Sequence, residues 1–283
     1  MECLKDEKML KFRPETLEFV RKDVNLDQPG RMDEAINILE DWVQKQAHFV
    51  KKDFSRDYLE RTLITAKGLV ERAKERLDKI CTFRTLMPDF FLVSDAKQEF
   101  EPLKEVSLIN YNYSFVLFFQ LTEYLMQVEY CTGFQIILDF SSINVLSFVT
   151  KVNPMDLRQI VTVMTEGYGT RIKGIHVVTS SKMVDTVISL LKQIFSAKLA
   201  DRIHLYKTTD ALLKVVPKEN MAADFGGDEM TLAEINKILS SNDFLEYIKD
   251  MGKAKTNESC RQGNDFNEHY VGMPGSFRAL SVD

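Results

Sequence analysis

The stretch that decides the fold runs from Arg171 to Lys207 and reads RIKGIHVVTSSKMVDTVISLLKQIFSAKLADRIHLYK. It contains two β-type runs, Ile172–Val178 and Ile203–Tyr206, with one helix-length segment between them. The apolar residues of that segment fall within roughly 160° of a helical wheel. They are Met183, Val184, Val187, Ile188, Leu190, Leu191, Ile194 and Phe195. This order of elements predicts parallel strands joined by a crossover helix.

Four basic residues flank this helix as two same-side pairs. Arg171 and Lys173 are two positions apart on a strand, and Lys198 and Arg202 are four apart if the helix continues. Clustered positive charge beside a wide apolar helix suits a protein that covers an apolar ligand and contacts an anionic membrane. Both features also have plainer interpretations, since most such helices only cover a sheet and most basic pairs belong to a solvated face.

The composition is that of an ordinary soluble protein. The 283 residues are 45% hydrophobic and 28% charged, and they suffice for one large or two modest domains. A net charge of −5 and a pI near 5.6 argue against nucleic-acid binding, so any basic patch must be local. Residues 1–8 lack the apolar core of a signal peptide, and no apolar run reaches half the ~20 residues of a membrane span. We therefore expect a cytoplasmic protein that associates with membranes peripherally.

Signatures of catalysis are missing from the sequence. The four cysteines are far apart, which predicts reduced thiols, and His48, His176, His204 and His269 show no metal-ligand spacing. There is no G-x-S-x-G turn and no phosphate-binding P-loop, and no carboxylate pair suits acid–base chemistry. We expect no enzymatic activity, no catalytic residue, no metal and no cofactor.

Helical patterns alone occupy the first part of the chain. Asp33 to Ala47 carries apolar residues at helical spacing, Ser55 is a plausible N-cap for a second helix, and a third helix follows Gly68. The run Met87–Asp89 closes this part. We predict a helical domain over residues 1–95.

Strands and helices alternate farther along the chain, although residues 107–127 cannot be divided between strand and helix. Gln135–Phe140 is a buried-type strand, and Asn153-Pro154 opens a helix with Asn as cap and Pro at the first position. Thr231 and Glu234 match a capping box that opens a final helix to about Met251. We predict a second domain over residues 96–230, and a C-terminal helix with an extended tail over 231–283. The last thirty residues are expected to drape over the surface or to remain mobile.

Residues 136–227 resemble the CRAL-TRIO family of hydrophobic-ligand transfer proteins, which includes the cellular retinaldehyde-binding and α-tocopherol transfer proteins. The matching elements follow the family's order: ILDFSSINVL, VNPMDLRQIVTVMTEGYGTRIKGIHVVTS, SAKLADRIHLYK and VPKENMAADFGGD. RIKGIH, RIH and the Asp-Phe-Gly-Gly ending after Pro-Lys-Glu are its most specific parts. Residues 33–88 are similar to the helical domain that precedes the lipid domain, and GSFRAL at the end resembles the tails of insect-type members.

The resemblance implies an N-terminal all-helical domain followed by a CRAL-TRIO α/β lipid-binding domain, with a mainly parallel sheet and a mobile gate helix. Residues 183 to about 198 would form this gate over an enclosed lipid pocket. Arg171, Lys173, Lys198 and Arg202 match basic positions that bind phosphoinositide head groups in the family. Converging guanidinium and ammonium groups suit phosphates, and each cation near an anionic surface is worth about 1 kcal/mol.

Two motifs depart from the family's pattern. The family usually has Lys-Pro-Phe-Leu in the gate, where this chain has Lys192-Gln193-Ile194-Phe195. The family's Arg-Phe-Leu-Arg element in the helical domain is reduced here to Arg61-Thr62-Leu63-Ile64.

A lipid pocket would be lined by apolar residues of the matching elements, each of which could equally be ordinary core. They are Phe134, Ile136, Phe140, Phe148, Ile160, Met164, Val178, Met183, Val187, Leu191 and Ile194. A ligand's polar end could be held by Tyr111, Tyr113, Ser141, His176 or Thr179, although a strand histidine such as His176 is more often a satisfied core residue.

We therefore expect a carrier that binds a tocopherol-, retinoid- or terpenoid-like lipid and transfers it between membranes, docking on phosphoinositides through its basic patch. Its partners would be the ligand and an anionic membrane surface, without nucleic acid, and the chain would be a monomer. The alternative is a phosphoinositide-binding adaptor without transfer activity. An enzyme acting on a small lipid would need a reactive residue that the sequence does not offer.

Overall fold

A computed structural model describes residues 15–91, 119, 121–126, 130, 133–141, 153–239 and 241–262. Residues 15–91, here called the helical unit, consist of four α-helices and one short 3-10 helix. They are α1 (Thr16–Asp23), α2 (Arg31–Lys45), α3 (Arg56–Thr65), α4 (Val70–Leu86) and the 3-10 helix Pro88–Phe91. The N-terminal helices that the sequence predicted are therefore present.

Local signals explain where these helices begin. The side chain of Ser55 accepts a hydrogen bond from the backbone N–H of Tyr58 at 3.2 Å, which confirms it as the N-cap of α3. Gly68, before α4, has a φ of +74°, and its backbone approaches the Val24 carbonyl so closely that a Cβ would overlap with it. This approach holds the end of α1, which the hydrophobic pattern did not predict, against the turn between α3 and α4.

Three parallel strands form one sheet in the order β1-β2-β3. The strands are β1 (Phe134–Asp139), β2 (Ile172–Val178) and β3 (Ile203–Tyr206). In β2, His176 is paired with Ile137 on one side and His204 on the other. Helix α5 (Pro154–Thr162), which continues as a π-helical turn at Val163–Gly167, connects β1 to β2. The α/β fold class and the bounds of β2 and β3 are as predicted.

The segment between β2 and β3 is two helices, not one. Helix α6 covers Val184–Ile194 and helix α7 covers Ala197–Ala200, with Phe195 and Ser196 extended between them. The prediction of a single helix to Lys198 was wrong, because Ser196 leaves the helical conformation and its carbonyl starts a new turn by accepting from the N–H groups of Leu199 and Ala200. Lys198 and Arg202 therefore do not lie on one continuous helix.

Apolar side chains gather on both faces of the sheet and in the helical unit. The largest cluster joins the helical unit to Met164, Tyr168, Met251 and Ala254. On one face of the sheet, Ile175 and Val177 share a cluster with residues of α5 and α6. On the other face, Val178 packs with Leu212 of the short helix α8 (Thr209–Leu212) and with Val216 and Met221.

The predicted C-terminal helix is divided into α9 (Leu232–Leu239) and α10 (Asn242–Met251). The capping box is confirmed: Thr231 N–H donates to Glu234 Oε2 at 2.8 Å, and Glu234 N–H donates to Thr231 Oγ1 at 3.2 Å. The prediction of a single helix to Met251 was wrong. Ser241 caps a second helix, and its side chain accepts a hydrogen bond from the N–H of Phe244 at 3.3 Å. Within the described ranges, every helix is too short or too polar to cross a bilayer.

Residues 253–262 lie along the helical unit. Thr256 forms an antiparallel bridge with Phe49, and the N–H of Asn257 donates to the carbonyl of His48 at 2.7 Å. Arg261 donates to both carboxylate oxygens of Asp78, at 2.6 and 2.9 Å. Of the two alternatives for the tail, draping over the surface holds for these residues. The domain boundaries at 95 and 230 stay a prediction.

Candidate functional site

The amino ends of β2 and β3 meet at one edge of the sheet and bring Arg171 close to Arg202. The carbonyl of Arg171 accepts from the N–H of Phe134 at 2.8 Å, and that of Arg202 accepts from the N–H of Ile175 at 2.9 Å. The guanidinium of Arg202 also donates to the carbonyl of Ile172, the residue after Arg171. The structure therefore places these two predicted cations at the same edge.

The other two predicted cations are Lys173 on β2 and Lys198 on α7, and we call the four residues Arg171, Lys173, Lys198 and Arg202 the basic edge. The stem of Lys173 crosses Gly133, where a Cβ would lie 2.8 Å from Lys173 Cγ and Cε. Lys173 and Lys198 are exposed, whereas the two arginines are half-buried. Within the described ranges, no carboxylate forms an ion pair with any of the four. Unpaired cations at one edge can bind an anion without first losing a partner.

A further cation, Arg76 of α4, lies at the junction between the helical unit and the sheet. It is 8% exposed, and its guanidinium packs against Gly169, where a Cβ would overlap with it. Its Nη1 has no hydrogen-bond partner among the described residues. Burial, together with the charges of Arg72 and Arg171, lowers the pKa of Arg76 to about 10. Sequence reasoning missed it, because a charged residue in an amphipathic helix usually faces solvent.

A small cleft lies between the helical unit and the sheet, with room for about one water molecule. Its walls come from the helical unit, from the residue before β1 and from the turn into β2. The lining includes Asp23, Thr65, Gly133, Gly169, Thr170 and Arg171. We call it the junction cleft. It connects the basic edge to the helical unit.

Helix α6 packs against one face of the sheet. Val187 and Leu191 are 1% and 3% exposed and belong to the cluster of Ile175 and Val177. Met183, in contrast, is 40% exposed at the N-cap of the helix. The side chain of Ile194 lies outside the described residues.

The structure groups some of the predicted pocket residues and separates others. Ile136 and Phe140 join Val187 and Leu191 on the α6 side of the sheet. Others lie elsewhere, with Ile160 and Met164 in the core shared with the helical unit, Val178 on the opposite face, and Phe134 in the wall of the junction cleft. Phe148, Tyr111 and Tyr113 lie outside the described residues. The lining of a lipid pocket stays a prediction.

His176 is a satisfied core residue, in agreement with the plainer interpretation. Its Nε2 lies 2.7 Å from Gln135 Oε1, and its Nδ1 lies 3.0 Å from the hydroxyl of Tyr206. Because the Gln135 oxygen can only accept, we assign the proton to Nε2 and let Tyr206 donate to Nδ1. Burial first, and then neighbouring His204, lower the pKa of His176. The imidazole is therefore held neutral.

Comparison with known proteins identifies the part of the chain that carries the sheet. The CRAL/TRIO domain matches residues 93–227. Curated relatives named "Alpha-tocopherol transfer protein-like" from Pongo abelii and Homo sapiens are each 25% identical over 119 residues, which is 40% of this chain and 34% of the relative. The relative of that name from Mus musculus is 24% identical over 125 residues, covering 42% of this chain and 36% of its own length.

The chain thus spans only about a third of the length of the curated relatives it matches. The sheet, helices α5 to α8 and the basic edge all lie inside the matched domain. Their order and the parallel strand arrangement agree with the elements that the resemblance predicts. Residues 93–227 therefore match the CRAL/TRIO domain, the family that the sequence resembles.

Proposed function

We propose that this protein binds a small hydrophobic molecule beneath α6 and transfers it between membranes, with the basic edge docking on phosphoinositides. The observation that carries the proposal is that helix α6 and the basic edge are directly connected along the chain. Helix α6, whose inner residues Val187 and Leu191 are buried, leads through Phe195, Ser196 and α7 into Arg202 of the basic edge. A membrane that holds this edge therefore acts on the chain that leaves α6.

The names of the relatives support the ligand class. Tocopherol is an apolar molecule with one polar end, and retinoids and terpenoids of similar size share that chemistry. An enclosed site gains on the order of 25 cal/mol per Å² of apolar surface removed from water. Burying ~300 Å² would contribute roughly 7 kcal/mol before ordering costs. This is enough to compensate for one or two displaced core side chains, which cost about 1.5–3 kcal/mol each.

The ends of α6 are suited to movement of the helix as a unit. Phe195 and Ser196 are extended at its C-terminal end, and a turn in which Thr179 Oγ1 accepts from the N–H of Ser181 at 3.1 Å precedes it. Hinges are a few residues at element ends that absorb changes in φ and ψ. Cations of the basic edge, each worth about 1 kcal/mol near an anionic surface, would lower the cost of opening.

A second candidate is a phosphoinositide-binding adaptor that carries no lipid. The observation in its favour is the packing of α6 itself, because Val187 and Leu191 share one apolar cluster with Ile175 and Val177 of the sheet. A helix that fills this space with its own side chains leaves a ligand room only by moving. Both candidates would be monomeric, cytoplasmic proteins without catalytic activity.

Retention of lipid separates the two candidates. The purified protein is incubated with a mixed tissue lipid extract, re-isolated, and its bound lipids are quantified by mass spectrometry. Enrichment of one species near a 1:1 ratio is expected for a carrier. A folded protein that binds phosphoinositide vesicles but retains no lipid would be an adaptor.

Transfer assays test the basic edge. Replacing Arg171, Lys173, Lys198 and Arg202 with Ala is expected to leave ligand binding in solution unchanged and to slow transfer to anionic vesicles. A control with the same change in charge replaces the exposed residues Arg31, Arg158, Lys214 and Lys249. Equal transfer rates for the parent and both variants at moderate salt would contradict docking through the basic edge.

A further inference from the structure

The guanidinium of Arg202 continues the sheet beyond the point where β3 begins. The N–H of Ile175 donates to the backbone carbonyl of Arg202 at 2.9 Å, and Ile175 is paired with Ile203, the first residue of β3. Strand β2 starts earlier, at Ile172. There the side chain of Arg202 donates from Nη1 to the carbonyl of Ile172. A side-chain donor thus takes the place that a backbone N–H would have in a longer β3.

The chain between α6 and β3 is fixed to this edge by further contacts. The N–H of Arg202 donates to the carbonyl of Leu199 in α7 at 3.1 Å. The side chain of Leu199 is 8% exposed and shares one apolar cluster with Leu191 of α6 and with Ile172. Helix α7 has only four residues, and yet a backbone ladder, an apolar side chain and a guanidinium hold it and the residues after it against the sheet.

The other end of α6 is held by local hydrogen bonds. The N–H of Ser181 donates to Thr179 Oγ1 at 3.1 Å, and the N–H of Met183 donates to Ser181 Oγ at 3.2 Å. Met183, the N-cap residue, makes no capping hydrogen bond with its side chain. None of residues 180–186 is buried, and burial in α6 begins at Val187. The two ends of this helix therefore differ in what holds them to the sheet.

We propose that Arg202 is a positioning residue that anchors α7 to β2, so that α6 opens from its N-terminal end and turns about Phe195 and Ser196. This rests on the proposed function, in which α6 is the part that moves. Because a crossover between parallel strands runs from the carboxyl edge of the sheet to its amino edge, the space beneath α6 would open opposite the basic edge. The anchor would decide the path by which α6 opens, whereas the residues beneath α6 decide how tightly a ligand is held.

Hydrogen exchange of single amides, followed by NMR on the full chain without membranes, tests the anchor. In the parent, the N–H of Thr186 at the start of α6 should exchange faster than that of Phe195 at its end, although both are hydrogen-bonded. Replacing Arg202 with Met should speed exchange at Leu199 by about tenfold or more, because a charged hydrogen bond is lost. Exchange at Leu77, which is buried in α4, should stay as in the parent.

Two further variants separate anchoring from charge. Lys198→Met removes one positive charge from the same basic edge, but Lys198 is exposed, and exchange at Leu199 should match that of the parent. Arg202→Lys keeps the charge and lacks the planar fork of the guanidinium. This variant should bind phosphoinositide vesicles as the parent does and should still exchange faster at Leu199. A role of Arg202 in charge alone predicts that the Lys variant behaves as the parent does in both measurements.

Equal exchange at Leu199 in Arg202→Met and Lys198→Met would overturn the inference, as would a parent in which the end of α6 exchanges before its start. Faster exchange at Leu77 together with Leu199 would assign Arg202 a general role in stability and would overturn it as well. Sedimentation with phosphatidylcholine vesicles that contain a phosphoinositide separates these failures from that of the proposed function. If the Ala variant of the whole basic edge still binds such vesicles, the docking proposal fails, while the exchange rates measured without membranes decide the anchor independently.

Discussion

Arg84 and Glu123 form an ion pair inside the protein, with side chains that are 2% and 5% exposed. The hydroxyl of Tyr168 donates to the same carboxylate oxygen at 2.6 Å, and Arg84 Nη1 donates to the carbonyl of Ala254 at 3.3 Å. Burial acts to lower the pKa of Arg84, but the acidic groups around it, Glu123 first and then Tyr168, Tyr58 and Cys81, together raise that pKa. Arg84 therefore stays charged where the helical unit meets residues from the rest of the chain.

Removing one partner of this pair should be far more damaging than removing both. We expect Arg84→Met to lower the free energy of unfolding by about 3–5 kcal/mol, because Glu123 is left charged and buried. The double variant Arg84→Met with Glu123→Leu should recover most of that loss. Urea unfolding of the parent, both single variants and the double variant gives the comparison. A double variant no more stable than Arg84→Met would contradict this account.

The stability of the protein should depend on pH through His176. Its pKa in the folded protein lies below the ordinary value of 6.5, because of burial and then His204. The unfolded chain therefore binds the proton first as the pH falls. The stabilising contribution of neutral His176 is present above pH 6.5 and is lost as the pH falls through the folded-state pKa.

The variant His176→Gln removes this titration. The difference in unfolding free energy between pH 7.5 and pH 5.5 should be smaller for this variant than for the parent. His204→Gln, which removes the neighbouring imidazole but keeps His176, should fall between the two. Identical pH dependence in parent and His176→Gln would show that other groups account for the acid sensitivity.

The bidentate contact of Arg261 with Asp78 should contribute measurably to stability. Both side chains are largely buried, at 9% and 15% exposure, and charged hydrogen bonds in such places are worth about 1.5–3 kcal/mol. We expect Arg261→Gln to destabilise the protein by about 2 kcal/mol in chemical unfolding. Arg31→Gln is the control, because Arg31 and Glu34 form an ion pair that is 61% exposed on both sides. Its effect should stay within about 0.5 kcal/mol.

Replacement by alanine should reduce stability by different amounts at two glycines that have similar φ angles. Gly169 and Gly30 have φ values of +69° and +80°, but only at Gly169 would a Cβ overlap with a guanidinium, that of Arg76. Gly30→Ala should therefore cost about 1–2 kcal/mol from the backbone alone, and Gly169→Ala should cost more. Adding Arg76→Ala to Gly169→Ala should recover the excess. Equal losses of stability for the two alanine variants would show that the Arg76 side chain can move aside without an energetic cost.

Features with local signals could be predicted from the sequence. The bounds of β2 and β3 follow from short apolar runs, and the start of α5 follows from its cap. There Asn153 Oδ1 accepts from the N–H of Met155 at 3.0 Å, with Pro154 at the first helical position. Ser55 and the Thr231–Glu234 box behave in the same way. In each case the hydrogen-bonding groups lie within three residues of each other.

Features that depend on distant residues could not be predicted. The break at Phe195 has no glycine or proline to mark it, and the apolar pattern continues across it. Arg261 reaches Asp78 across 183 positions in the sequence. The sequence pattern predicts that Arg76 is a surface residue, whereas in the structure the turn at Gly169 packs over it. Of the candidate site, the sequence predicted the basic residues but not the buried cation beside them.

The contacts between residues 253–262 and the helical unit can form only late in synthesis, after the residues that separate them have been translated. Thr85 Oγ1 accepts from the N–H of Thr256 at 2.9 Å, and Arg261 lies 183 residues after its partner Asp78. At about 5–20 residues per second, the ribosome needs on the order of 10–40 s to make the intervening chain. During that interval the newly made helical unit lacks part of its own surface, and the backbone of Phe49 lacks its bridge to Thr256. The helical unit can therefore complete its surface only after residues 253–262 have been translated.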